Sequence, residues 1–287
     1  MAWMILERRG RLVRSGVCLQ VLLLVGFVAQ GASAEEQVGS ATFCPTEELA
    51  YDISWSGGIK IGEMSLSVEQ AEPGACEIRA RVLDSGLFHL FYPVNDTFVT
   101  QVTADWLPIN YEVKQREGGR DGVLRQTRYD QEQGLVFYRK NQGAEHRFEV
   151  DGPVHNEFSS FFTTRFLPWS ADQNHFVVPT WADESRNLVD VELRGSSRVQ
   201  NRLLGRVEAL EVLPRMTFKG LYDKSGDTVI WFTADSCRIP LRIHSKILIG
   251  SLIAELKEYR GERCPEWTER MLSQRALRRP RLDVQGD

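Results

Sequence analysis

The sequence predicts an all-β protein: a large antiparallel sheet, curved or rolled into a barrel or half-barrel, of about 11–13 strands with one amphipathic helix. Three observations carry this reading. Apolar and polar residues alternate with period two along most of the chain, glycine-rich turn signals punctuate that alternation, and near residue 155 alone the period changes to that of a helix.

The strands follow in order. Leu49, Tyr51, Ile53 and Trp55 fall on one strand face, Ser56-Gly57-Gly58 supplies a tight turn, and Ile59 to Val68 runs back as the second arm of a hairpin. Further alternating segments lie at 76–84, 96–104, 108–117, 122–130, 134–140 and 145–150, then at 174–180, 187–194, 205–214, 228–234, 239–247 and 251–259. The last two form the clearest hairpin, with Ile239, Leu241, Ile243 and Ile247 on one face and Arg242, His244 and Lys246 on the other. Between the two runs, Phe158, Phe161, Phe162 and Phe166 recur at helical spacing, with Asn156 as N-cap and Pro168 as a stop. Such a stripe packs on a sheet or plugs a barrel mouth; a mobile lid over a ligand is the sharper alternative. Closing so many strands leaves more room than side chains alone fill, so a cavity is expected. With no repeat or linker in view, one β domain spans about 40–265, two β subdomains meeting near the helix being the alternative.

The N-terminus reads as a secretory signal. Arg8, Arg9, Arg11 and Arg14 precede an apolar run from Val17 to Ala29, and Ala32-Ser33-Ala34 has the small-x-small form of a cleavage site, placing the cut after Ala34. The apolar run is shorter than the roughly 20 residues a spanning helix needs, and no later segment reaches that length. A periplasmic location is the expectation. Loss of residues 1–34 removes four arginines and one glutamate, taking the formal charge from −4 to −7. That balance argues against nucleic acid as a partner. From about Glu269 to residue 287 arginines crowd together without apolar periodicity, which reads as a basic flexible tail serving solubility or contact with an anionic surface.

Without Cys18, which falls in the signal segment, four cysteines remain, an even number that in an exported chain points to disulfides. Strand parity puts Cys44 and Cys76 at one end of the sheet, and likewise Cys237 and Cys264, so Cys44–Cys76 and Cys237–Cys264 are the favoured pairs among three connectivities. No pair has the short spacing of a zinc site. No metal or other cofactor is expected.

Chemistry is harder to find. The five histidines stand in no metal-binding pattern, there is no G-x-S-x-G elbow or phosphate-binding glycine loop, and the carboxylates are scattered. No catalytic residue is assigned. Arg242, His244 and Lys246 put three cations on one strand face; cross-strand pairing with Glu255 beside Lys257 is the plain explanation, and a hold on an anionic head group is the functional one.

Two segments have a familiar form. Tyr51-Asp52-Ile53-Ser54-Trp55 leading into Gly58-Ile59-Lys60-Ile61-Gly62, and Ile239-Pro240-Leu241-Arg242-Ile243-His244-Ser245-Lys246 running on to Ala254-Glu255-Leu256, resemble the exported bacterial family catalogued as domain of unknown function 3108. The resemblance covers roughly residues 44–262 and implies a periplasmic, β-rich fold similar to the half-barrels of lipoprotein carriers, with no catalytic residue to carry over. The leading expectation is a binding or carrier protein for a lipid or other amphiphilic envelope component. Phe158, Phe161 and Phe162 would cover its mouth, and Tyr51, Trp55 and Trp231 would wall it. A scaffold that meets an envelope protein through strand edges or the basic tail is the alternative, and an enzyme acting on glycan or lipid a third reading.

Overall fold

The computed structural model describes residues 44–278 except 57, 73, 91, 120, 183, 216–227 and 248–249. The signal segment and residues 279–287 of the basic C-terminus therefore lie outside the described residues.

One sheet of 14 antiparallel strands dominates, one strand more than the upper expectation. Its first arm is β1 (Glu47–Trp55), β2 (Ile59–Glu72), β3 (Ala75–Asp84), β4 (Asn95–Val102), β5 (Pro108–Gln115), β6 (Val123–Asp130), β7 (Leu135–Lys140) and β8 (His146–Glu149). Helix α1 (Glu157–Phe166) follows, and the second arm is β9 (His175–Ala182), β10 (Ser185–Asn201), β11 (Gly205–Arg215), β12 (Thr228–Thr233), β13 (Pro240–Lys246) and β14 (Ser251–Gly261). Each arm is a meander, and β1 pairs with β14 to join them, with Leu49 opposite Tyr259 and Ile53 opposite Ala254. β8 and β9 are left as the two edges, so the sheet is curved but unclosed.

Alternation sorts the two faces as expected. Leu49, Tyr51, Leu66, Ile78, Phe98 and Val113 point inward and are buried, while Glu48, Glu63, Arg79 and Lys114 face solvent. The helix predicted from the phenylalanine stripe forms, and Asn156 caps it by accepting from the Phe158 and Ser159 amides. Two segments differ from the sequence reading. β10 runs on to Asn201 because a bulge between Leu193 and Gly195 resets its register, and Gly195 at φ 140° breaks the alternation without ending the strand. The chain from Glu269, expected as a flexible tail, is instead helical as far as Arg278 in α2 (Pro265–Arg278), which starts on a proline and buries only Trp267 and Met271.

Both expected disulfides are present, with Cα–Cα distances of 5.7 Å for Cys44–Cys76 and 6.1 Å for Cys237–Cys264. They fall at the same rim of the sheet, together with the β4–β5, β6–β7 and β12–β13 connections. The β1–β2, β3–β4, β7–β8, β9–β10 and β13–β14 connections lie at the opposite rim.

Candidate functional site

Helix α1 closes the disulfide rim. Trp106 of the β4–β5 connection stacks on Phe162 and Phe166 at centroid distances of 5.0 and 5.9 Å, and Gln131 of the β6–β7 connection ties Pro108 and Val154 together. Arg165, 1 % exposed, makes a two-pronged ion pair with Glu47 at 2.6 and 2.9 Å and donates to the carbonyls of Cys237 and Arg238. Burial opposes its charge, but the adjacent Glu47 carboxylate more than restores it. Beside this pair, burial pushes the Tyr51 and Tyr259 phenols up, and the Tyr51 hydroxyl donates to the Pro240 carbonyl at 3.0 Å. Every polar group of Arg165 is engaged, so this network locks the helix to the sheet.

The opposite half of the inner face has a pocket. Across β5, β6 and β7 it is lined by Tyr111, Tyr129, Tyr138 and Arg125, and the end of β9 supplies Trp181 from the other side, around about 270 Å³. Phe148 on β8 meets Trp181 at 5.0 Å, so side chains bridge the seam that backbone hydrogen bonds leave unclosed. The Tyr129 hydroxyl is buried at the pocket wall and makes no hydrogen bond of ordinary geometry among the described residues. Burial, and next the Glu157 carboxylate at the start of α1, raise its ionisation well above the usual phenol range. Lys140 and Glu184 stand at the outer edge, on the rim away from the disulfides.

A family model described as "Protein of unknown function (DUF3108)" matches residues 50–257. The chain belongs to the DUF3108 family. Among solved structures it is similar to the crystal structure of a beta-barrel-like protein of domain of unknown function DUF1849 from Brucella abortus, with a TM-score of 0.55 at 10% identity, covering 76% of this chain and 98% of that one. At that identity the likeness concerns the fold. No curated protein matches the chain.

The sequence-derived candidate residues of this DUF3108 chain separate into two sets. Tyr51, Phe158, Phe161 and Phe162 all belong to the inner side, where Phe158 meets Phe98 at 5.2 Å and Phe161 meets Phe232 at 6.0 Å, so they fill the interior. Trp231, Arg242, His244 and Lys246 occupy the other face of β12 and β13, and Trp55 ends β1 half-exposed at the open rim. On the outer face Arg242 pairs with Glu255 at 3.8 Å, and Lys257 pairs with Glu63 at 3.2 Å, the cross-strand arrangement given as the plain explanation. Burial and then the neighbouring Lys246 and Arg242 lower the His244 ionisation, which favours its neutral form.

Sequence reasoning missed Tyr111, Tyr129, Tyr138 and Trp181. The alternation Tyr111–Val113 and Thr127–Tyr129 marks an inner face, but nothing local says that β9 swings round to face it. One carboxylate contact also emerged: Gln115 links Asp96 and Glu117, and burial together with Asp96 raises the Glu117 carboxyl. Asp96 is held as well by the Arg116 amide, which makes it a fastening for β4 and β5.

Proposed function

We propose that the protein is exported, cleaved after Ala34, and acts in the periplasm as a non-enzymatic binding or carrier protein for a lipid or other amphiphilic envelope component. The polar head of that ligand would occupy the pocket between Tyr111, Tyr129, Tyr138 and Trp181. The observation that supports this reading is the Tyr129 hydroxyl: a buried polar group without a partner is unfavourable by about 1–3 kcal/mol, and a ligand acceptor would relieve it. Size narrows the ligand. At about 270 Å³ the cavity holds a ring or head group and leaves any long chain outside, because Phe158, Phe161 and Phe162 occupy the interior beyond it. Trp181 offers a face for such a ring, and Arg125 and Lys140 offer charge to an anionic substituent.

The test is organic extraction of gently purified mature protein followed by mass spectrometry. A single class of amphiphile should be recovered, and Trp181→Ala should release it. Protein that carries nothing, and whose melting temperature does not move in the presence of an envelope lipid extract, defeats the proposal.

A further inference from the structure

At the rim away from the disulfides, two neighbouring connections carry exposed apolar side chains. The β1–β2 turn presents Trp55 and Ile59, 39% and 65% exposed, and the segment after β3 presents Leu90 and Tyr92, 74% and 38% exposed. The β13–β14 turn lies against the first of these. Ser56 donates its amide to Ser251 at 2.7 Å, and a side chain at Gly250 would meet the Trp55 indole nitrogen at 2.5 Å. The β3–β4 connection joins from the other side, since the Ser85 amide donates to Ile61 at 2.9 Å. The two apolar tips thus stand side by side, braced by the β13–β14 turn.

We infer that this rim docks on the surface of a phospholipid bilayer. The apolar groups sit on separate projecting tips instead of a sheet face or groove, a form that enters a fluid interface more readily than it closes against a second folded surface. Their chemistry matches that interface: Ile59 and Leu90 are purely apolar, and Trp55 and Tyr92 each pair an apolar ring with a polar atom, the type enriched at the head-group level. Among the described residues several backbone groups of these connections are paired internally, as in Gly58 to Trp55 at 3.1 Å, Asp84 to Val94 at 3.1 Å and Ile247 to Gly250 at 3.3 Å. Pairing of that kind is what lets a loop leave water without stranding its peptide groups. Exposed Lys246 stands at this rim, where lipid phosphates would lie, while His89 there is paired with Asp84 and the Tyr92 hydroxyl donates to Glu117 at 3.2 Å. The pocket described above extends to this rim at Lys140 and Glu184, so docking would bring that end towards the membrane.

The experiment is flotation of the mature full-length chain with vesicles of phosphatidylethanolamine and phosphatidylglycerol. Wild type should float. The double variant Ile59→Asp/Leu90→Asp, at two exposed positions, should lose about a hundredfold or more in partitioning, the order expected when two inserted apolar side chains are replaced by carboxylates. Val177→Asp/Leu188→Asp, exposed apolar positions on β9 and β10, should float like wild type. Trp181→Ala should also float, which separates this inference from the fate of the ligand proposal. A wild type that stays with the pellet, a rim variant that floats unchanged, or a rim variant that instead dissolves a dimer seen by light scattering would each overturn it.

Discussion

At the closed rim, two disulfides, the buried Arg165–Glu47 pair and a phenylalanine-faced helix converge on a few connections, whereas the open rim carries exposed Ile59 and Leu90 and the outer end of a pocket that reaches inward to Tyr129, whose hydroxyl makes no hydrogen bond of ordinary geometry. Both rims come from the same alternating strands, so the contrast lies in what the connections add. At one rim the additions bring a helix whose first amides are capped and a guanidinium whose nitrogens are all hydrogen-bonded. At the other they leave apolar side chains exposed on two neighbouring tips.

The largest effect should follow from breaking the closed rim. Arg165→Met leaves Glu47 buried without its counter-charge, and we expect a loss of about 3–5 kcal/mol in urea unfolding. The double variant Arg165→Met/Glu47→Leu should recover much of that loss, since it removes both charges. If Arg165→Met unfolds like wild type, the ion pair does not fasten α1. Next in size is Cys237→Ser/Cys264→Ser, expected to lower stability by about 2–4 kcal/mol through the greater freedom of the unfolded chain. The check is the melting temperature of the variant beside that of reduced wild type.

His155 sharpens the comparison through pH. It leads into α1 on the closed side, where its Nδ1 lies 3.2 Å from the Trp106 carbonyl, and burial lowers its ionisation to about 4. The unfolded chain, titrating near 6.5, takes up a proton over that interval and the folded chain does not. Stability is therefore flat above neutrality, falls as pH drops through about 6.5, and loses about 2 kcal/mol by about pH 5. His155→Asn should flatten that slope in unfolding curves measured at several pH values. A wild-type curve already level between those pH values would remove His155 from the closed rim's accounting.

Much of the closed rim was legible in the sequence, and little of the pocket was. Cysteine parity along a meander is a local property, so both disulfides followed from counting strands. Helix α1 followed from four phenylalanines at one spacing, and its capping residue from the need of the first amides for an acceptor. What failed to show was either hidden by a break in pattern or non-local. The bulge at Gly195 concealed the second half of β10, and α2 has too few apolar residues for its period to register, although Pro265 marks its start. The pocket depends on β9 meeting the far side of the first arm, a consequence of sheet curvature that no window of sequence contains.

The smallest stability effect belongs to the pocket and discriminates most between a ligand-facing group and a piece of the scaffold. Tyr129→Phe removes only the hydroxyl, keeps the ring against the core, and leaves no acceptor stranded, because none of ordinary geometry faces that oxygen. Folding stability should then stay within about 0.5 kcal/mol of wild type or rise slightly, since a buried polar atom has been deleted. A hydroxyl that served the fold, bonding Thr127 for instance, would instead show a loss of about 1 kcal/mol or more on removal. Ligand retention should move the other way, weakening by about 1 kcal/mol as one hydrogen bond to the head group disappears. Thermal unfolding of the ligand-free variant and extraction of the ligand-loaded one read these two numbers separately. A variant that folds less well yet holds its amphiphile unchanged would place Tyr129 with the closed rim, as a piece of the scaffold.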